Sequence, residues 1–210
     1  GFYLGATETL DGPCCFGSST WMPESSPGSV RSYLADVGFG FMPLYLGMQE
    51  GDKKCPSCNT LTTAQGTDDA NRASNLMAAA GFANGAVCWL DVELGGTLSA
   101  AFIDYISAWV SELNNHTDYW AGVYCSYDET AAQIATACGA DNVNFWVWDL
   151  NIDSCQEDTP FPTPSPSSAY SNATALQYAQ NCTISNGVTT NGADLDSSVY
   201  SDPSINPIQG

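Results

Sequence analysis

Basic side chains are almost missing from this chain. Its 210 residues hold 4 Lys and Arg against 23 Asp and Glu, a formal net charge of −19. Phosphate backbones and anionic lipid are held by clustered Lys and Arg, so neither nucleic acid nor a membrane is an expected partner. Histidine is as scarce. His116 stands alone, which argues against a histidine-based triad or a His-rich metal site, and no cofactor is expected. No apolar run approaches the roughly 20 residues of a membrane span. After the first apolar run, "GATETLDG" is not a Gly-rich phosphate loop, which argues against a nucleotide-binding open sheet. Gly1–Gly5 lacks the basic start of a signal peptide, so a processed or trimmed chain is expected.

Cysteine, by contrast, is plentiful. Nine in one chain point to an oxidising compartment. Three N-glycosylation sequons agree, at Asn115, Asn172 and Asn181. Together they imply a secreted, extracellular glycoprotein with disulfides. An odd count leaves at least one thiol without an internal partner, and Cys88, amid an apolar strand, is the candidate. Cys14, Cys15, Cys55 and Cys58 fall in two polar loops and are expected to bridge them. Cys155 and Cys182 each follow an aromatic-rich strand and could join strand ends. A helical pattern between Cys125 and Cys138 would hold those two too far apart for a bond.

Hydrophobic residues make up 44% of the chain, ample for one large core. Short apolar runs alternate with helical patterns. The runs are Phe2–Gly5, Phe39–Leu46, Ala86–Val92, Trp120–Cys125, Val143–Leu150, Ala175–Ala179 and Ala193–Leu195. Helices are expected over Ser29–Val37, Thr67–Ala80, Thr97–Asn114 and Glu129–Cys138. The third of these puts Leu98, Phe102, Tyr105, Ile106, Trp109 and Leu113 on one face. Prolines at 160, 162, 164 and 166 read as a stiff surface loop. Strand–helix alternation implies parallel strands. The expected fold is therefore α/β, a small TIM-like (β/α) barrel, complete or short of one strand or helix. It occupies residues 1–210 as a single domain.

The run "CWLDVELGG" poses the functional question, because a strand that reads as buried carries Asp91 and Glu93. Side chains two apart share a face, so Trp89, Asp91 and Glu93 point one way and Cys88, Leu90 and Val92 the other. If the apolar set packs on helices, the acids face the barrel axis at the strand's C-terminal end, where barrels place active sites. Two carboxylates held close in a partly apolar site do not ionise alike, and that division of labour serves glycosidic cleavage. Other strand ends would line a sugar site: Tyr45, Tyr124, Trp148, Gln177 and Asp194. Trp146 and Tyr178 read as core.

The ordered runs "GFGFMPLYLGMQ", "GTDDANRASNLMAAAGF", "AVCWLDVE", "FIDYISAWVSEL", "YWAGVYCSY", "FWVWDLN", "LQYA" and "ADLDSS" resemble family-25 glycoside hydrolases. They resemble even more the glycoside hydrolase-like barrel domains of bacteria and fungi, and secreted fungal muramidases have a similar barrel. Family-25 enzymes are muramidases that cut the β-1,4 bond between N-acetylmuramic acid and N-acetylglucosamine. The resemblance implies Glu93 as general acid and then base, in a retaining mechanism. It implies Asp91 as stabiliser of a substrate-assisted intermediate, Asp194 as the last-strand carboxylate and Tyr124 as an aromatic at the sugar. The family opens "GFD", whose Asp lines the site; this chain opens "GFY", with Tyr3 at that place. Otherwise "GFYLGA" corresponds to the second strand of the related barrels, and the first is expected outside this chain.

A chitinase-like N-acetylglucosaminidase ranks second, because Trp89 stands where the DxDxE motif of family 18 has its first acid. A non-catalytic carbohydrate-binding barrel is the non-enzymatic alternative. The expected partner is peptidoglycan or another amino-sugar polysaccharide, met by a monomer with or without a separate wall-binding module. The charge of −19 works against binding an anionic wall unless the working pH is low or such a module carries the contact.

Overall fold

A computed structural model describes residues 2–3, 36, 38, 40–51, 60–148, 164–185 and 189–204. Among the described residues, seven strands form one sheet in the order of the sequence. They are β1 (Phe2–Tyr3), β2 (Pro43–Tyr45), β3 (Val87–Val92), β4 (Trp120–Ser126), β5 (Asn144–Trp148), β6 (Ala173–Ser185) and β7 (Thr189–Ser198). Among the described residues, three helices of more than two turns accompany them: α1 (Thr63–Ala79), α2 (Ala100–His116) and α3 (Asp128–Cys138). The α/β class holds, and residues from β2 through β7 surround one cavity, so the sheet is curled. β1 and β7 are its two edges among the described residues.

Strands β1 to β6 pair parallel, as the alternation with helices requires. The last strand departs from that expectation: β7 runs antiparallel to β6. Only three residues separate Ser185 from Thr189, whereas a parallel return needs a crossover of a dozen or more. The Asn186-Gly187 pair in that gap is a hairpin signal.

Helices α1 and α2 begin at capping residues. Thr62 accepts from the Gln65 amide at 3.1 Å, and Ser99 from the Phe102 amide at 3.2 Å. The start of α1 precedes the expected one, because Gly66 looks like a breaker and is not. A Cβ at Gly66 would come within 2.3 Å of the Tyr105 carbonyl oxygen, so glycine lets α1 and α2 touch. On α2 the buried face is Phe102, Tyr105, Ile106, Trp109, Val110 and Leu113, matching the expected face from Phe102 onward. The expected helix over 29–37 lies outside the described residues apart from Asp36.

Two apolar layers cover β3, and all six of its residues are buried. Cys88, Leu90 and Val92 join the helices in the outer core, while Val87 and Trp89 pack inside with Met42, Leu44, Trp146 and Ala175. Cys88 is a free thiol, as its apolar setting suggests, and so are Cys125 and Cys138. Burial pushes the thiols of Cys88 and Cys125 up, that of Cys125 to about 12, so both act as small hydrophobes. Cys182 is disulfide-bonded. The two polar loops holding Cys14, Cys15, Cys55 and Cys58, and Cys155 with most of the proline loop, lie outside the described residues.

Candidate active site

A cavity of about 300 Å³ opens on the inner face of the sheet, lined by Leu44, Glu93, Tyr124, Trp146, Gln177, Gln180, Asp194 and Asp196. Six strands or strand ends contribute, so no local stretch of sequence builds it alone. Glu93 follows the last residue of β3 and is exposed. Its backbone is held by one side chain: Gln49 donates from Nε2 to the Asp91 carbonyl at 2.7 Å and accepts the Glu93 amide at 3.1 Å on Oε1. The loop after Glu93 is braced from α3, where Thr130 Oγ1 and Gln133 Nε2 both donate to the Gly96 carbonyl. Tyr127 lies against Gly95, where a Cβ would meet its ring at 2.3 Å. Its φ of 69° is the left-handed value that side chains seldom adopt.

Across the cavity the aromatic wall is ordered by hydrogen bonds. The Tyr124 hydroxyl donates to Gln177 Oε1 at 2.7 Å, and Trp146 Nε1 donates to Asp196 Oδ1 at 2.9 Å. The Tyr124 and Trp146 rings lie 4.6 Å apart, and Trp89 meets Trp146 edge-on at 6.2 Å. Gln177 is 3% exposed and its Nε2 has no protein partner. Burial raises the Asp196 carboxyl to about 6; Asp194 adds to the rise, and the Trp146 N–H opposes it.

That shift has a consequence for stability. Because the folded-state value lies above the ordinary carboxyl value of 3.8, the favourable contribution is complete below about pH 4 and is lost as pH rises through about 6. Denaturant unfolding should lose on the order of 2–3 kcal/mol over that window. Asp196→Asn should flatten this part of the profile. An identical pH dependence in parent and variant would sink the assignment.

The structure brings four of the expected residues, Glu93, Tyr124, Gln177 and Asp194, to one cavity. Asp91 is fully buried in β3 and is not among the lining side chains. Tyr45 points the other way: it is buried in the outer core and donates to Asp69 Oδ1 at 3.2 Å. Asp69 also accepts from Tyr105 at 2.7 Å, and burial raises its carboxyl. Trp148 is half-buried at the end of β5, outside the lining, with its carbonyl accepting the Tyr127 amide. Tyr3 pairs in register with Leu44, a lining residue. Asn115 and Asn172 are exposed.

Trp146 and Asp196 enter the site without having been singled out for it. Alternation carries a signal for both, since each lies two residues from a candidate, Trp148 and Asp194. Gln49 had none, because it acts through backbone groups 42 and 44 positions away.

The fold has counterparts of known structure. An uncharacterised B. stearothermophilus protein aligns with a TM-score of 0.57 at 18% identity, over 93% of this chain and 81% of its own. The Mycobacterium tuberculosis Tat-secreted protein Rv2525c, solved with L-tartrate, aligns at 0.47 and 18%, over 80% and 71%. The catalytic domain of endolysin ply40, from bacteriophage P40 of Listeria monocytogenes, aligns at 0.45 and 16%, over 80% and 71%. At such identities the first likeness is one of fold alone. No curated protein matches the sequence. The family model of the Rv2525c-like, glycoside hydrolase-like domain matches residues 3–198. The chain belongs to the Rv2525c-like, glycoside hydrolase-like domain family.

Proposed function

We propose that the chain is a secreted glycosidase of muramidase type, cutting β-1,4 bonds of an amino-sugar polysaccharide, with peptidoglycan as the first polymer to test. The observation that carries the reading is Glu93: an exposed acid on a clamped strand end, facing an aromatic and amide wall across a cavity of sugar size. The curled sheet is read as most of a TIM-like barrel, with the cavity at the C-terminal ends of its parallel strands. Nine cysteines and the sequons, two of whose Asn are exposed, support secretion.

In this reading Glu93 gives its proton to the glycosidic oxygen as the bond to the anomeric carbon breaks. The substrate's acetamido oxygen forms a bond to that carbon, and Asp91 steadies the positive charge. Water then attacks the anomeric carbon, Glu93 takes its proton, and the acetamido group is released. The bond has been hydrolysed with retained configuration.

The test is release of reducing ends from purified peptidoglycan and from chitin, with the anomeric configuration of the first product read by NMR. Retained product from peptidoglycan is expected. Cleavage of chitin alone would move the assignment to a chitinase-like N-acetylglucosaminidase. No cleavage of either would leave a carbohydrate-binding barrel, a reading favoured by the burial of Asp91 away from the cavity lining.

A further inference from the structure

Among the described residues, three of the side chains lining the cavity are acids, Glu93, Asp194 and Asp196, and none is Lys, Arg or His. They come from the end of β3 and from β7. Among the described residues, no three Asp, Glu, His or Cys side chains stand together as metal ligands. Sugar hydroxyls donate hydrogen bonds to carboxylates but leave their charge uncompensated, and a group bearing a free carboxylate meets like charge. The chain as a whole, at −19, attracts polycations and repels polyanions.

A second observation sets the other half of the ligand. Gln177 is 3% exposed in the cavity wall, its Oε1 is taken by the Tyr124 hydroxyl, and its Nε2 has no protein partner. A buried donor without an acceptor is costly, so the occupant should bring an oxygen to it, from a ring hydroxyl or an acetyl group.

We propose that this cavity recognises an amino sugar carrying a free, protonated amine, so that the polymer bound here is a partially N-deacetylated one. The ammonium sits between Asp194 and Asp196 in charge-assisted hydrogen bonds, leaving Glu93 to the glycosidic oxygen, and an oxygen of the same or the neighbouring unit accepts from Gln177. Acetylated units remain necessary next to it for the substrate-assisted step, and in that sense the proposal rests on the glycosidase reading. Chitosan-type chains and N-deacetylated peptidoglycan share this chemistry.

The experiment is calorimetric titration of the whole chain with two probes, a partially deacetylated chitotetraose and its fully N-acetylated counterpart, at a pH where the free amines are protonated. The deacetylated probe should bind about tenfold more tightly, and added salt should erode that margin. Asp194→Asn, at an exposed position that folding tolerates, should reduce it. Equal or tighter binding of the acetylated probe overturns the proposal and leaves the glycosidase reading standing. A margin for the amine without release of reducing ends keeps the proposal and removes the glycosidase reading. Retention on chitosan and on N-deacetylated peptidoglycan, compared with their acetylated forms, separates the two sources. Retention on neither overturns the proposal.

Discussion

Replacing Glu93 with Gln should lower hydrolysis of the amino-sugar polymer by about 10²- to 10⁴-fold, the range set by loss of a general acid–base group. The side chain is exposed, so the substitution leaves the core untouched. Its backbone amide stays bound to Gln49 Oε1 at 3.1 Å, so the strand end keeps its place. Gln occupies nearly the same volume and accepts and donates hydrogen bonds, but it cannot deliver a proton to a leaving oxygen. The loss should therefore fall on kcat, with KM little changed. Substrates with a better leaving group should recover part of the rate, because they need less protonation. Near-parental kcat in a correctly folded Glu93→Gln protein would remove Glu93 from the chemistry.

Trp146→Ala should cost about 3–5 kcal/mol of stability, the range for deleting a buried aromatic ring. Trp146 is 4% exposed and joins two parts of the molecule. Its ring lies against Trp89 and Tyr124, and its Nε1 donates to Asp196 across the sheet at 2.9 Å. Removing it opens a void between β3 and β5 and takes a donor from Asp196, a loss that by itself raises that carboxyl while water entering the void lowers it. Trp146→Phe separates these effects. It retains most of the ring packing but no N–H, so it should move the Asp196 titration while costing far less stability. Urea unfolding with titration of Asp196 by NMR checks both. An unchanged midpoint in Trp146→Ala would mean that the two aromatic contacts carry little.

Much of the scaffold was legible because it rests on local rules. Alternation along "VCWLDV" assigned Cys88, Leu90 and Val92 to the helical side, and the structure packs them there. The 3.6-residue period found the buried face of α2. Glycine was the weak point. Gly66 looks like a helix breaker in sequence, yet it is the position where two helices approach too closely for a Cβ. The expectation of parallel strands fails only at β6 and β7, where a strand–turn–strand pattern with no helix between closes as an antiparallel hairpin.

The candidate site divides along the same line. Chain-local features were enough to single out Glu93 and to put it at a strand's end, because strand alternation and a following glycine pair depend only on near neighbours. Curvature and register then decided its company. A parallel strand one position out of register would send Tyr124 or Gln177 to the opposite face. Tyr45 shows the point, since it ends a strand as Tyr124 nearly does but faces the helices and binds Asp69. Asp196 and Trp146, 50 residues apart, became partners only when β7 folded back across β6 towards β5. Charge composition weighs against polyanions at the level of the whole chain. The gathering of three acids and one unpartnered donor around a single cavity belongs to the tertiary structure, because it depends on how six strand segments curl together rather than on what any of them contains.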